Sequence, residues 1–473
     1  MNWVRPPAKP FFVVVALLML SLLSVSIVAG TELRNDGSVL DHSIANGATW
    51  ARAFGGMDGG SNRINSVAKT ADGGFALVGV TTSYSSCKCD ADFWVLRTDG
   101  SGLLKWQKVY GGTGYEEATS IVVAQDGSLF VIGRTTSYGN STGGLGDIWI
   151  LKLDSNGNMV WQKSFGGLSD DYAQSGILTS DGYLIVSGYV KYGGNYIQGL
   201  ILKLDLGGNL QWEKLYDYDL FNQFDSVVET SDGYYVATGY TNPLGGGTVE
   251  AWVVKTDSDG VMVWQKTIGN SSFSSMAYSV AAVSGGGIVF AGKQSTDGWL
   301  VQLDSNGSEQ WEKTYSAERV RRIVPSNSGG FLVGGWINTI GARDFWLAKV
   351  DAVGVPVWQK AYGGSSGETL NGLAVLRDGG YVAVGTTNSF GVFSESGWVV
   401  KLSSDGSLGG SCNIIADTTI TPQIPTSNVS SISATPAVPT LTPIASNATP
   451  AAVSWGPVSQ CASLPYFFPI IYR

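Results

Sequence analysis

The sequence predicts an all-β fold: a seven-bladed β-propeller of four-stranded antiparallel blades, closed by an N-terminal strand that completes the last blade. Three recurring markers predict it. A strand ending in glycine recurs at Gly79, Gly133, Gly188, Gly239, Gly292, Gly335 and Gly385. An apolar strand is centred on Trp94, Trp149, Leu200, Trp252, Trp299, Trp346 and Trp398, at intervals of 47 to 55 residues. A WQK-type strand stands at Trp106, Trp161, Trp212, Trp264, Trp311 and Trp358, with Trp50 as an outlying copy. A period of about 50 residues built from short strands and turn signals marks a radial β-repeat.

The second repeat illustrates the elements in order. Strand one covers roughly 119–124, and the Gln125-Asp126-Gly127 turn leads to strand two at 129–133. A loop rich in Gly, Ser and Thr precedes strand three at 148–153. The turn Asp154-Ser155-Asn156-Gly157 then leads to strand four at 159–165. Asn-Gly and Asp-Gly suit the left-handed backbone of tight hairpins. The chain ends complement each other. Trp50 to Gly56 is a fourth strand without its own first three, and 370–408 has three strands without a WQK strand. Joining them makes one sheet and removes the seam of the ring. The propeller is expected to span 47–412.

Composition narrows the function classes. The 473 residues carry 29 basic and 38 acidic side chains, a net charge of −9, so bulk attraction to nucleic acid is not expected. The one histidine, His42, precedes the repeats, which removes histidine-centred catalysis and multi-histidine metal sites from the repeat domain. There is no Walker loop, H-E-x-x-H or zinc-like Cys/His cluster.

Residues 1–30 read as a signal peptide or an N-terminal membrane anchor. Arg5 and Lys9 precede an apolar run at 11–28, and Val28-Ala29-Gly30 offers a cleavage site before Thr31. The run is also just long enough to span a bilayer. Either reading makes the remainder extracytoplasmic, secreted or attached to the cell surface. Residues 31–46 read as a linker, 413–460 as a Ser/Thr/Pro-rich extended spacer, and 461–473 as a short apolar tail. Cys412 and Cys461 flank the spacer and are disulfide candidates, while Cys87 and Cys89 are too close together for an unstrained bridge.

The phrase D-x-W-x-x-K-L-D-x-x-G-x-x-x-W-Q-K-x-x-G-G, with D-G-G-[FY]-x-x-x-G, resembles the secreted bacterial seven-bladed β-propeller repeat family. The resemblance covers 47–412 and implies the fold, not an activity. The D-x-x-G-x-x-x-W stretch also resembles the Asp-box of sialidases, at a longer spacing.

The loops joining strand four to strand one, and strand two to strand three, vary in length and composition between repeats, so ligand binding is expected on their face. Two polar rows lie near it. One row is Asn62, Glu116, Asp171, Asn222, Ser275, Glu318 and Glu368; the other is Asp92, Asp147, Gln198, Glu250, Asp297, Asp344 and Ser396. A short polar side chain at a strand start commonly accepts loop N–H groups, so the rows read as scaffolding. The functional alternative is that Glu116, Asp171, Glu318 and Glu368 ring the channel mouth and attract calcium or a cationic ligand. Blade six adds Arg319, Arg321 and Arg322, which could grip a carboxylate or phosphate. Loop aromatics Tyr84, Tyr138, Tyr192, Tyr196, Phe221 and Phe390 are candidate sugar-stacking groups. The favoured expectation is a non-catalytic binding or adhesion module with a protein or glycan ligand and no cofactor beyond calcium. The alternative is a secreted polysaccharide hydrolase or lyase on the same scaffold.

Overall fold

The computed structural model describes residues 49–409 apart from short loop stretches (57–58, 85–89, 140–142, 193–195, 219, 243–247, 271, 339–341 and 392–394), together with short strands at 32–33, 39–40, 415–417, 428–431, 451–452 and 458–459. The leader, all four cysteines and the apolar tail lie outside the described residues. The chain divides into two compact units, Met1–Asn46 with Pro465–Arg473, and Gly47–Leu464. In the first, Glu32–Leu33 pairs antiparallel with Val39–Leu40.

The second unit is built from four-stranded antiparallel sheets in chain order, as a β-propeller requires. Asn62–Lys69, Phe75–Thr81, Asp92–Thr98 and Leu104–Tyr110 pair in succession. Glu116–Val123, Leu129–Thr135, Asp147–Leu153 and Met159–Phe165 repeat the pattern. So do the sheets opened by Asp171–Leu178, Phe221–Glu229, Ser275–Ala282 and Arg319–Pro325. The last sheet, Glu368–Val375, Tyr381–Thr387 and Ser396–Leu402, takes Trp50–Phe54 as its fourth strand, with Trp50 opposite Lys401 and Ala53 opposite Trp398. Among the described residues the only helical turn is a 3-10 turn at Ser284–Gly286. No helix among them is long and apolar enough to cross a membrane.

The recurring phrase is decoded by its contacts. The strand-three indole is buried and donates to the glutamine of WQK: Trp94 Nε1 to Gln107 Oε1 at 3.0 Å, Trp252 Nε1 to Gln265 Oε1 at 2.9 Å. The strand-four indole reaches the next sheet instead. It donates to a carbonyl of that sheet's D-x-x-G turn: Trp50 to Gly100, Trp106 to Ser155, Trp161 to Leu206, Trp212 to Ser258, Trp264 to Ser305 and Trp358 to Ser404, at 3.0 to 3.2 Å. Trp311 departs, donating to Gln302 of its own sheet at 2.6 Å. The tyrosine two residues after WQK adds a second bond to the same turn, as from Tyr110 Oη to the Gly157 carbonyl at 2.6 Å. Gly157 must be glycine twice over: its φ is +74°, and a Cβ would sit 2.8 Å from the Trp106 ring.

The opening strands interlock on the inner side. Each carries a β-bulge, centred on residue 65, 119, 174, 225, 278, 321 or 371. In three sheets the bulged side chain donates to the next opening strand: Asn65 Nδ2 to the Ala118 carbonyl (2.9 Å), Thr119 Oγ1 to the Ala173 carbonyl (2.8 Å), and Asn371 Nδ2 to the Ile64 carbonyl (3.1 Å). The residue after the bulge is often serine, and it accepts a backbone N–H from the next sheet: Ser66 from Ile121, Ser120 from Gly176, Ser226 from Val280 and Ser279 from Ile323. Between sheets the core is apolar. Ile64, Leu77 and Trp94 of the first sheet pack in one cluster with Val382, Val384 and Val399 of the last.

The Ser/Thr/Pro-rich segment, expected to be an extended spacer, contributes short edge strands. Ile415–Asp417 pairs with Pro356–Tyr362, Asn428–Ser431 with Met262–Gly269, Ala451–Ala452 with Leu104–Tyr110, and Val458–Ser459 with Trp50–Phe54. Such pairing covers backbone groups that an outer strand would otherwise expose.

Trp50→Ala removes a buried indole and its bond to Gly100, and is expected to cost about 3–5 kcal/mol. Asn371→Leu removes the donor to Ile64, with an expected cost of about 1–2 kcal/mol. Thermal unfolding of the two variants checks both, and an unchanged midpoint in each would contradict the joining of the first and last sheets.

Candidate functional site

The two polar rows prove to be one set of pairs. A strand-three residue of one sheet meets the opening residue of the next, beneath the Gly-Gly that ends the recurring phrase. Asp92 and Glu116 meet under Gly111: a Cβ there would lie 1.7 Å from Asp92 Oδ1 and 2.8 Å from Glu116 Oε2. Asp147 and Asp171 meet likewise under Gly166, at 2.1 and 2.8 Å, and Asp344 and Glu368 under Gly363, at 1.9 and 2.6 Å. All six carboxyls are at most 6% exposed.

The opening member of each pair is pinned by backbone. Glu116 accepts from Thr135 Oγ1 at 2.9 Å, from the Ser137 N–H at 3.2 Å and, through Oε2, from the Gly112 N–H at 2.8 Å. Glu368 accepts from Thr387 Oγ1 at 2.8 Å, from the Ser389 N–H at 3.2 Å and from the Gly364 N–H at 3.0 Å. Asp171 accepts from the Gly167 N–H at 2.7 Å and the Lys191 N–H at 3.3 Å. Neutral copies keep the geometry: Thr81 Oγ1 donates to Asn62 Oδ1 at 2.6 Å, and Thr241 Oγ1 to Asn222 Oδ1 at 2.9 Å. In these sheets the row orders the entering loop. Among the described residues no three acidic, histidine or cysteine side chains come together.

Burial, the Glu116 charge and a hydrogen bond to Glu116 push the Asp92 carboxyl up to about 7. Burial, with Asp147 alongside, does the same for Asp171, against the pull of the Gly167 N–H. Burial also raises Glu368, although its hydrogen bonds oppose the shift. At Asp92 and Asp171 the adjacent carboxylate adds to burial, since two neighbouring charges in an apolar joint repel, and the proton kept by Asp92 is shared with Glu116 through their hydrogen bond.

Glu318 stands apart from its row. It precedes its strand, is about a third exposed, and takes a bidentate bond from Arg343 at 2.9 and 3.1 Å, with Arg319 at 3.9 Å. Arg319 also lies 4.8 Å over the Trp336 ring. The three arginines therefore have different fates. Arg321 lies 5.1 Å from the Tyr278 ring centroid, and Arg322 donates to the Arg321 carbonyl at 3.4 Å. Among the described residues neither Arg321 nor Arg322 is within ion-pair distance of a carboxylate. Burial and the Arg321 charge together lower Arg322, while Asp225 pulls the other way.

Asp225, which the sequence reading missed, faces this pair from the bulge of Phe221–Glu229. Its Oδ1 accepts from Gln223 Nε2 at 2.8 Å, and its Oδ2 is buried without a hydrogen-bond partner among the described residues. Burial pushes Asp225 up to about 6 against the attraction of Arg321 and Arg322. The signal that could have found it is the bulge column itself. Three copies hold small donors, Asn65, Thr119 and Asn371, whereas Gln174, Asp225, Tyr278 and Arg321 fill the equivalent place in successive sheets.

Four of the six loop aromatics pack against rings of the scaffold, while the Tyr192 side chain lies outside the described residues. Tyr138 lies 5.2 Å from Trp149 and donates to the Gly111 carbonyl, Phe390 lies 5.4 Å from Trp398, and Tyr84 lies 6.4 Å from Trp94. Phe221 stacks on Tyr240 at 5.6 Å. Each caps an indole or a neighbouring ring of the scaffold.

The raised carboxyls fix the sign of the pH dependence. They bind protons more tightly in the folded chain, so their stabilisation is full below the ordinary carboxylate range and is lost as pH rises to about 7. Asp92→Asn keeps a donor for Glu116 and removes a charge. It is expected to raise the melting temperature by about 2 °C or more at pH 8 and to leave it nearly unchanged at pH 4. A scanning-calorimetry pH series checks this, and a loss of stability at pH 8 would contradict the shared proton.

No protein-family model matches the chain. It is similar to the regulatory protein FlaEY of Caulobacter vibrioides, 24% identical over 287 residues, which is 56% of this chain and 29% of that protein. The chain thus spans under a third of the length of that curated relative. Among solved structures it is similar to Sqt1 from Chaetomium thermophilum, with 12% identity, 75% of this chain and 99% of that chain covered, and a TM-score of 0.43. It is also similar to the Dos1 propeller, with 13% identity, coverage of 74% and 95%, and a TM-score of 0.37. A puromycin hydrolase mutant gives 14% identity, coverage of 74% and 53%, and a TM-score of 0.44.

Proposed function

We propose that residues 47–412 form a closed, seven-bladed β-propeller, and that the protein is a non-catalytic extracytoplasmic binding or adhesion module with its ligand on the variable loop face. The pairing of Trp50–Phe54 with Ser396–Leu402 supports closure, as does the Asn371 bond to Ile64. The observation that carries the binding reading is the contrast between two kinds of charged residue. Six carboxyls of the repeated rows, those of Asp92, Glu116, Asp147, Asp171, Asp344 and Glu368, are buried, and Glu116, Asp171 and Glu368 accept backbone N–H groups, which suits scaffolding better than glycoside hydrolysis. Arg321, Arg322 and Asp225, near the start of the inner strands, carry charge that the scaffold does not neutralise in pairs. Surplus charge at a loop face is what a ligand of opposite sign requires.

The leader composition motivates export, through cleavage before Thr31 or through an anchor at 11–28. A glycan array combined with a broad polysaccharide hydrolase and lyase screen tests the function. Binding without turnover is expected, and turnover would replace this reading with the enzymatic one. Calorimetric titration with calcium tests the cation alternative for Glu116, Asp171, Glu318 and Glu368: absent heat, with melting unchanged by chelator, would remove it.

A further inference from the structure

We infer that Arg321, Arg322 and Asp225 form a site for a small monoanionic, polyhydroxylated carboxylate of the sugar-acid class, with the carboxylate on the guanidinium pair and a hydroxyl donating to Asp225 Oδ2. The inference rests on the binding reading above and assigns it a place and a ligand chemistry.

The bulge column supplies the first argument. In a β-bulge the extra residue leaves the ladder and re-aims its side chain. Where that residue is Asn65, Thr119 or Asn371, the side chain is used up in a bond to the next opening strand. Asp225, Tyr278 and Arg321 make no such bond. The Tyr278 hydroxyl reaches only the Met276 sulfur, at 3.1 Å, a weak acceptor. The inner interlock is thus given up in consecutive sheets, and in two of them, at Asp225 and Arg321, the released position carries charge.

Unmet hydrogen-bonding capacity supplies the second. Asp225 is 9% exposed, and its Oδ2 lacks a partner. An unsatisfied buried carboxylate oxygen costs several times what an ordinary hydrogen bond contributes, so a donor from a ligand is strongly favoured there. Arg321 and Arg322, half-buried and without a carboxylate at ion-pair distance among the described residues, supply the complementary donors, and a planar carboxylate fits a guanidinium fork.

Charge balance selects the class. Two guanidiniums and one carboxylate leave a single surplus positive charge in the cluster. A monoanion with neutral donors cancels it. An α-amino acid, being zwitterionic, does not, and a neutral sugar leaves the guanidiniums unmatched. Phosphate would bring further negative charge towards Asp225. A carboxylate bearing nearby hydroxyls meets all three groups.

The test is calorimetric titration of the purified full-length protein with D-galacturonate and D-glucuronate, set beside D-galactose, D-glucose, acetate and glycine. A uronate is expected to bind at least tenfold more tightly than its neutral parent sugar and than acetate. Arg321→Gln is expected to weaken uronate binding at least tenfold, and Asp225→Asn several-fold, with the melting temperature followed in each. Arg321→Lys, which keeps the charge and loses the fork, is expected to fall between. If Arg321→Gln does not fold, Asp225→Asn decides. Equal binding of uronate and parent sugar, tighter binding of glycine, no uronate binding, or uronate binding indifferent to both substitutions would each overturn the assignment. Glycan-array ligands that bind regardless of Arg321 would overturn the site while leaving the binding module standing. An empty array together with silent titrations would overturn both.

Discussion

The structure depends on one contact made again and again: a strand-four indole resting on the D-x-x-G turn of the next sheet. All of these indoles but Trp311 donate their N–H to a turn carbonyl, as Trp106 does, and Trp106 covers a glycine whose left-handed backbone leaves no room for a side chain. A turn of this type is ordinarily a solvent-exposed hairpin end. Here the neighbour's tryptophan converts it into an interface, so the geometry of one sheet sets the position of the next. The lysine beside it reinforces the contact in one joint, where Lys108 Nζ reaches the Gly157 carbonyl at 2.9 Å. Because Trp50 makes the same contact with Gly100, the N-terminal strand is bound on two sides, to Ser396–Leu402 by ladder bonds and to the first sheet by its indole. The stray copy at the start of the sequence is therefore a working part of the repeat.

The opposite end of each sheet follows a different chemistry. There the joint is sealed by the paired polar residues beneath Gly-Gly, and their identity varies while their place does not. Asp92 with Glu116 and Asp344 with Glu368 are acid pairs, whereas Asn62 and Asn222 reach the same threonine position with a neutral carbonyl. The joint needs an acceptor for the entering loop and tolerates a shared proton to obtain it. The amide copies do the same work with no titration. A repeat protein sums such local terms along the chain, so acid joints such as Asp92 with Glu116 and amide joints such as Asn62 with Thr81 contribute differently to the response to pH.

Much of this was legible in the sequence. The tryptophan series, the terminal glycines and the Asp-Gly turns mark the strands because backbone geometry and aromatic packing act locally. The split between the chain ends is visible because Trp50-Ala-Arg-Ala-Phe is a recognisable fourth strand. The polar rows were visible as rows, since each recurs at a fixed offset from its turn. Their meeting was not, because Asp92 and Glu116 belong to different sheets and only the indole contact brings those sheets into register. Asp225 was hidden for a related reason. A bulge shifts the alternation by one residue, so a period-two reading of Phe221–Glu229 misassigns the direction of the aspartate. The loop aromatics illustrate the converse. Tyr138 and Phe390 lie in glycine-rich loops that suggest exposure, yet each closes over a strand-three indole.

Where a repeat departs from its siblings, the cost falls on the scaffold and calls for a compensating role. Asp225, Tyr278 and Arg321 replace side chains that elsewhere tie neighbouring inner strands together. The serines at 226 and 279 still accept from Val280 and Ile323, so these joints keep one of the two inner bonds. The sheets can therefore stay in register while the bulge position is released from structural duty. An inner-strand bulge suits such a release, because it lies near the loops, points away from the ladder, and is held on both sides by strands that cannot shift. Charge placed there is positioned as firmly as the core yet is not needed by it, the condition under which a rigid scaffold presents a binding group.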